Sequence, residues 1–316
     1  MYLEDTYGDN IRVVYRHLPL ISIHDKAVIT AEATEAAGAQ GKFWEMHDLL
    51  YERQQEWNAL SADDVSAKLV EYAAELELDA DRFAQELEDG VYRDKILADY
   101  EDYQQYGQMA TPTYVVNKVF YPQIGLHPIV IDGFIRLVTD PPEQYADGPD
   151  QVIDADKAYN ATIRTSKGDI VVELFADQAP ANVNSFAFLA QEGFYDGLTF
   201  YFVQQDAVAV SGDPTNTGSA LMGAVLPYVG YTCGAEISPD LTFDQAGMLA
   251  LLTGGPGQNS SHFFITYAPQ PDFDGNYTII GRIAEGMDVA ESLTQTQPGP
   301  DQPEPDVIET ILIEEQ

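Results

Sequence analysis

Basic residues are scarce in this chain. Its 316 residues hold 15 Lys+Arg against 52 Asp+Glu, a formal charge of −37. A surface so negative repels phosphate backbones and anionic lipid, which argues against nucleic-acid binding and electrostatic adsorption to membranes. It suits a solvated acidic surface, a cationic partner, or a salty milieu that screens the self-repulsion. Cysteine is nearly absent: Cys233 stands alone, which excludes an intrachain disulfide, a CxxC redox pair and a multi-cysteine metal site. No apolar run reaches the length of about 18 residues expected of a membrane-spanning helix. The opening "MYLEDTYGDN" has neither a basic n-region nor an apolar h-region, so it does not read as a signal peptide.

What is present suits packed domains. Hydrophobic residues make up 45% of the chain and aromatic residues 11%, too apolar for a disordered polymer. The length favours two domains. Histidines at 17, 24 and 47 have only Asp25 and Asp48 as adjacent carboxylates, so neither a metal site nor a cofactor is expected. The Gly-rich "GGPG" at 254–257 lacks a following lysine and is no phosphate loop. Cys233, in "GYTCGAEIS", reads as a small core or loop residue rather than a reactive thiol. The triplets at Asn160, Asn259 and Asn276 matter only in a glycosylating pathway.

Patterning divides the chain into three parts. Residues 1–140 read as a helix-rich α/β domain. "IRVVYRHLPL" (11–20) is β-branched and apolar and suits a buried strand. Helical stretches follow: the Ala-rich 24–40, then "KFWEMHDLLYERQQEW" with Phe43, Met46, Leu49 and Leu50 on one face. The next begins at Ser61 as N-cap, with acids in its first turn. Another runs from 79 to Gly107. "TPTYVVNKVFY" (111–121) reads as a strand region and "HPIVIDGFIRLVT" (127–139) as a last helix. Residues 141–159 carry Pro-Pro, Gly-Pro and many acids, a linker composition. From 160 onward "ATIRTSKGDIVVELF" reads as a hairpin. "APANVNSFAFLAQEGFY" reads as a helix begun at Pro180, "GMDVAESLTQ" as a later one, and the rest as short strands between Gly/Pro turns. Such a pattern predicts a closed barrel or sandwich. The Pro-rich 297–306 reads as an extended surface loop before the last strand.

The segments "GDIVVELFADQAPANVNSFAFLAQEGFYDGLTFYFV", "EISPDLTFDQAGMLALLTGGPGQNSSHFFIT" and "FDGNYTIIGRIAEGMDVAESL" together resemble cyclophilin-type peptidyl-prolyl isomerases over nearly all of 160–316. The resemblance implies an all-β, eight-stranded antiparallel barrel with capping helices and a shallow apolar groove for an X-Pro peptide. In that family an Arg stabilises the twisted amide, Gln and Asn hold the peptide backbone, and Phe, Met, Leu and His line the proline pocket. The positions here depart from that set. Phe202 stands at the Arg, Ala207 and Val208 at the Phe and Met, and Val210 at the Gln. Leu252 and Thr253 stand at an Ala-Asn pair, and His262 replaces a Gln. Phe264 keeps the pocket Phe, Asp272 stands where a Trp is common, Phe273 replaces Leu, and Tyr277 replaces His. The cations of this half, Lys157, Arg164, Lys167 and Arg282, lie outside the groove motifs. His262 and Tyr277 could donate hydrogen bonds. The blander readings are a rim histidine and a packing tyrosine.

"YGDNIRVVYRHLPL", "EATEAAGAQGKFWEMHDLLYE" and "MATPTYVVNK", in that order, resemble the DsbA-like branch of thioredoxin-fold proteins over about 1–140. The resemblance implies a cis-proline loop at Thr111-Pro112 and a helical insertion. The family's first strand and CxxC would precede "LEDTYGDN". Either the natural chain is longer, or the domain is a redox-dead remnant. Cys233 without a partner cannot exchange disulfides. An incomplete sheet implies a three-stranded remnant or a partner covering its open edge.

Two functional readings remain. One is a protein-folding factor that binds proline-containing segments of extracytoplasmic proteins and isomerises them without cofactor, using Phe264, Phe273 and Tyr277. The other is a non-catalytic structural or interaction subunit of a larger extracytoplasmic assembly.

Overall fold

The computed structural model describes residues 2–105, 111–121, 126–222, 228–253, 258–299 and 301–316. The "GGPG" turn lies outside them. The chain opens with a short helix, α1 (Tyr2–Tyr7), and then divides into two compact units, one of residues 10–112 and one of residues 1–9 with 113–316.

The first unit is helical: α2 (Ala27–Gly38), α3 (Phe43–Glu52), α4 (Gln54–Trp57), α5 (Ala62–Glu75), α6 (Ala80–Glu88) and α7 (Arg93–Gln104). Ser61 caps α5 as expected, its hydroxyl accepting from the Asp64 amide at 3.2 Å. Met46, Leu49 and Leu50 turn inward to meet Ala33, Leu69 and Phe83. Two expectations fail here. Residues 11–20 form no strand. Val14 is 63% exposed, because a strand needs a neighbouring backbone to hydrogen-bond and this unit offers none among its described residues. The segment is held instead by Arg16, whose guanidinium binds Asp99 and Asp102, and by buried His17. The helix expected from 79 to 107 is also broken. Gly90 has φ +62, a left-handed conformation that ends α6. Residues 106–110 lie outside the described set.

The second unit contains a two-stranded hairpin, β1 (Val115–Val116) and β2 (Val119–Phe120), followed by α8 (Pro128–Thr139). The expected three-stranded remnant is thus two-stranded among the described residues. The phenols of Tyr2 and Tyr7 both donate to the carboxylate of Asp132 on α8, which also accepts from Arg136. Gly133 leaves no room for a side chain: a Cβ there would lie 2.9 Å from the Thr217 hydroxyl. Residues 113–140 therefore pack with the C-terminal half, and the compact units divide the chain differently from the 1–140 and 160–316 domains expected above.

The segment 141–159 does not behave as a free linker. The Tyr145 amide donates to Val229 O at 2.8 Å, the Asn184 side chain accepts from the amides of Val152 and Ile153, and Ile153 is buried in the barrel core. Its proline and acid content read as linker, but its apolar residues find a surface to cover.

The barrel strands are β3 (Tyr159–Thr165), β4 (Gly168–Leu174), β5 (Phe202–Gln204), β6 (Val208–Ser211), β7 (Cys233–Gly234), β8 (Met248–Thr253), β9 (Gln258–Thr266), β10 (Thr278–Glu285) and β11 (Ile308–Glu315). Eight run antiparallel in the order β11-β3-β4-β10-β8-β9-β6-β5, and β7 adds to β9. The ends of this path meet through the bonds Gly197 N to Ile308 O, Ile308 N to Leu198 O and Phe200 N to Asp306 O. Closure leaves no long free edge. Helices α9 (Pro180–Gln191) and α10 (Met287–Glu291) complete the fold. The period-two alternation sorts side chains into two sets. Val203, Ala209, Leu249, Leu251, Phe263 and Ile265 join the core with α9. Their neighbours Val210, Met248, Ala250 and Phe264 point the other way and build a second cluster on the opposite face.

Candidate functional site

That second cluster is the candidate site. Strand register places Phe202, Val210, Phe264, Ala250 and Ile279 in one row across β5, β6, β9, β8 and β10. Adjacent residues in such a row stand within packing distance on one face. Four rings gather over its centre. Phe264 stacks on Phe243 with centroids 5.9 Å apart and meets Phe273 and Tyr277 edge-on at 5.7 and 5.1 Å. Phe273 and Tyr277 are themselves 5.3 Å apart. Phe243 and Phe264 are buried, whereas Phe273, Tyr277, Phe202, Val208 and Leu252 are half-buried. The result is an apolar floor with a half-exposed rim.

Seven of the eleven residues singled out in sequence belong to this cluster: Phe202, Val208, Val210, Leu252, Phe264, Phe273 and Tyr277. Ala207 sits in the turn between β5 and β6, and Thr253 ends β8 opposite Asn259. Asp272 is exposed on the turn before Phe273. Phe243 was missed, since it lies in an irregular segment with no strand or helix period to mark its face. Leu241, Met248 and Tyr201 were missed likewise.

His262 is corrected outright. It is no rim residue, being 0% exposed. The Tyr201 hydroxyl lies 3.1 Å from its Nδ1, the Tyr228 ring packs 5.5 Å away, and Nε2 has no hydrogen-bond partner among the described residues. Burial lowers its pKa, and the charge of Asp213 opposes that shift. Gly212 makes the arrangement possible: with φ +89 it lies so close that a Cβ would come 2.2 Å from Ser261 O. Asp213 is itself buried, and its carboxylate is consumed by the Thr215 and Gly218 amides at 2.8 Å and the Thr215 hydroxyl at 2.6 Å. Neither residue is available to a peptide in the groove. Tyr277 remains as a half-exposed phenol.

No cation joins the cluster among the described residues. Lys157 pairs with Glu315, Arg164 with Asp169, Lys167 with Asp306 and Arg282 with Glu173. Cys233 is half-buried on β7, and burial pushes its thiol pKa up. In the helical unit His17 Nε2 lies 3.1 Å from Glu35, His47 pairs with Asp48, and His24 is exposed. The Thr111-Pro112 peptide is cis.

Known protein families match both halves of the chain. Residues 160–313 match the family described as cyclophilin type peptidyl-prolyl cis-trans isomerase/CLD, and residues 3–127 match a thioredoxin family. The peptidyl-prolyl cis-trans isomerase ppi1 of Schizosaccharomyces pombe is 42% identical over 134 residues, which cover 42% of this chain and 84% of that protein. An Arabidopsis thaliana peptidyl-prolyl cis-trans isomerase is 38% identical over 136 residues, 43% of this chain and 80% of its own. A cyclophilin-type isomerase structure from Cryptosporidium parvum is 29% identical with a TM-score of 0.44, covering 50% of this chain and 98% of that one.

Proposed function

Because the chain belongs, through its C-terminal half, to the cyclophilin-type peptidyl-prolyl cis-trans isomerase family, we propose that its outer-face groove binds proline-containing polypeptide segments and isomerises them weakly or not at all. Rotation about an X-Pro bond meets a barrier of about 18–20 kcal/mol set by amide resonance. A catalyst lowers it by binding the twisted amide better than the planar one. The aromatic floor of Phe264, Phe273 and Tyr277 supplies a grip on the ring. What it lacks among the described residues is a cationic donor that strengthens its bond as the amide twists.

The observation that carries this reading is Phe202. It stands where the family's arginine belongs, and it is half-buried in the apolar cluster, paired with Val210 across β5 and β6. Loss of one preorganised donor costs about 10²–10³ in rate. Val210 and Thr253, at the positions of the backbone-holding Gln and Asn, weaken the hold on the peptide further.

The same three positions support a second reading, a non-catalytic subunit whose groove docks a partner. The extracytoplasmic setting is part of the proposal in both cases. It rests on the resemblance of residues 1–140 to DsbA-like proteins.

A prolyl isomerisation assay on the full chain with a short Ala-Pro peptide tests the proposal, beside Phe202→Arg. The expected result is little acceleration by the unmodified chain and a gain with arginine. Strong catalysis by the unmodified chain would overturn the degenerate-site reading. Absence of peptide binding by either protein would overturn the groove itself.

A further inference from the structure

Between Lys167 and Arg282 the sequence contains no lysine or arginine. Every strand and turn that builds the aromatic cluster, from β5 to the start of β10, lies in that interval. Acids are retained there, and their positions are specific. Asp240 precedes Leu241, Asp244 follows Phe243, and Asp272 and Asp274 flank Phe273. All four are exposed, while the apolar residues beside them pack into the cluster. Asp274 has a structural duty, its carboxylate accepting from the Phe243 amide at 2.7 Å. Asp240, Asp244 and Asp272 take part in none of the ion pairs formed among the described residues, whereas the cations elsewhere in the barrel are each matched to a carboxylate. The groove thus has an apolar floor, aromatic faces and a rim of one sign.

We propose that this rim makes the groove selective for proline segments carrying a lysine or arginine beside the proline. The inference rests on the groove reading above and adds the chemistry of its ligand. A proline ring on Phe264 and Phe273 would leave the adjoining side chains of the peptide at the rim. A basic side chain there meets the carboxylates of Asp244 and Asp272 and the faces of Phe273 and Tyr277, which attract cations through their quadrupoles. An acidic side chain meets repulsion at every rim position. Each exposed pair contributes little alone, but several carboxylates around one cation add. The chain's overall negative charge speeds encounter with any basic peptide and does not distinguish one surface from another, so the test must separate local from global attraction.

Three N-acetylated, C-amidated peptides Ala-Xaa-Pro-Phe, with Lys, Gln or Glu at Xaa, are titrated into the full chain and followed by NMR line broadening. The lysine peptide is expected to bind about tenfold tighter than the glutamine peptide, with the glutamate peptide weakest. The preference should shrink at about 0.5 M salt, where screening lengths fall to a few ångströms. The triple variant Asp240→Asn/Asp244→Asn/Asp272→Asn should abolish it. The variant Asp288→Asn/Glu309→Gln/Glu314→Gln, with the same change in net charge on α10 and β11, should preserve it. Asp272→Asn alone should reduce it if the triple variant fails to fold. Equal loss in both triple variants, or equal binding of the lysine and glutamine peptides, would overturn the inference and leave the groove reading standing. Failure of all three peptides to bind would remove the groove reading, and the inference with it.

Discussion

The two compact units solve the same problem, burial of an apolar surface, in different ways. In the helical unit each element reads locally: Met46, Leu49 and Leu50 recur at helical spacing and all turn inward. In the barrel, strands β6, β8 and β9 carry apolar residues on both faces. Phe263 enters the core with Phe186 and Tyr195, and its neighbour Phe264 enters the outer cluster. A helix with one apolar stripe makes a core and little else. A strand apolar on both faces makes a core and a surface cluster together, which is why the candidate site sits on the barrel. The helical unit also exposes rings, Tyr15 at 38% and Trp44 at 40%. They meet edge-on, 5.8 Å apart, and Phe43 and His47 pack against both.

If the units are separate cores, damage to one should spare the other. Phe263→Ala and Phe83→Ala each remove a ring that is 0% exposed, at an expected cost of about 3–5 kcal/mol. Both tryptophans, Trp44 and Trp57, lie in the helical unit. Urea unfolding followed by tryptophan fluorescence should therefore shift with Phe83→Ala and stay with Phe263→Ala, while tyrosine near-UV dichroism reports the barrel. Co-movement of both signals in either variant would show one cooperative structure and break the comparison.

The helix starts sharpen it. α5 is capped by its own Ser61, and Ser61→Ala should cost about 1 kcal/mol. α9 is capped from 54 residues away: Glu236 accepts from the Asn182 amide at 2.8 Å, and also from the Asn182 side chain at 2.7 Å and the Ala181 amide at 3.2 Å. Charge-assisted bonds of this kind are worth about 1.5–3 kcal/mol, so Glu236→Ala should lower the barrel's unfolding midpoint more than Ser61→Ala lowers that of the helices. The reverse order would mean that the distant cap is incidental.

The smallest effect is a pH dependence. His17 and His262 are both buried, and burial lowers the pKa of each. Above about pH 6.5 both are neutral, folded or unfolded, and contribute no pH dependence. As pH falls below that value the unfolded chain takes up a proton that the folded chain does not, so stability declines by at most about 1.4 kcal/mol per pH unit for each group until the folded pKa is reached. Glu35, 3.1 Å from His17, offsets part of its shift by charge and hydrogen bond, whereas His262 has the charge of Asp213 alone and its Nε2 has no hydrogen-bond partner among the described residues. The barrel should lose more in mild acid, and His262→Gln should flatten its midpoint between pH 7.5 and 5 more than His17→Gln flattens that of the helices. A larger effect at His17 would invert the comparison.

Much of this was legible in the order of residues. Ser61 announced a helix, "SKG" a hairpin, and Pro180 the start of α9. The resemblance to cyclophilins singled out Phe264, which stands in the outer cluster. The segment "IRVVYRHLPL" misled, since β-branched residues state a preference for extended backbone and not the presence of a neighbour to pair with. Residues 141–159 misled in the opposite sense, because composition recorded their turns and acids but not the Asn184 amide waiting for their backbone.

The sequence by itself determined the starts of α5 at Ser61 and α9 at Pro180, the β3–β4 hairpin and the scarcity of cations, since each depends on residue type and short-range spacing. The tertiary structure alone decided that Phe243 stacks on Phe264, that His262 is sealed under Tyr201 and Tyr228, and that Glu236 caps α9. Those contacts join residues far apart in the chain. Which side chains meet across a closed barrel is set by register and closure, and no local window of sequence contains either.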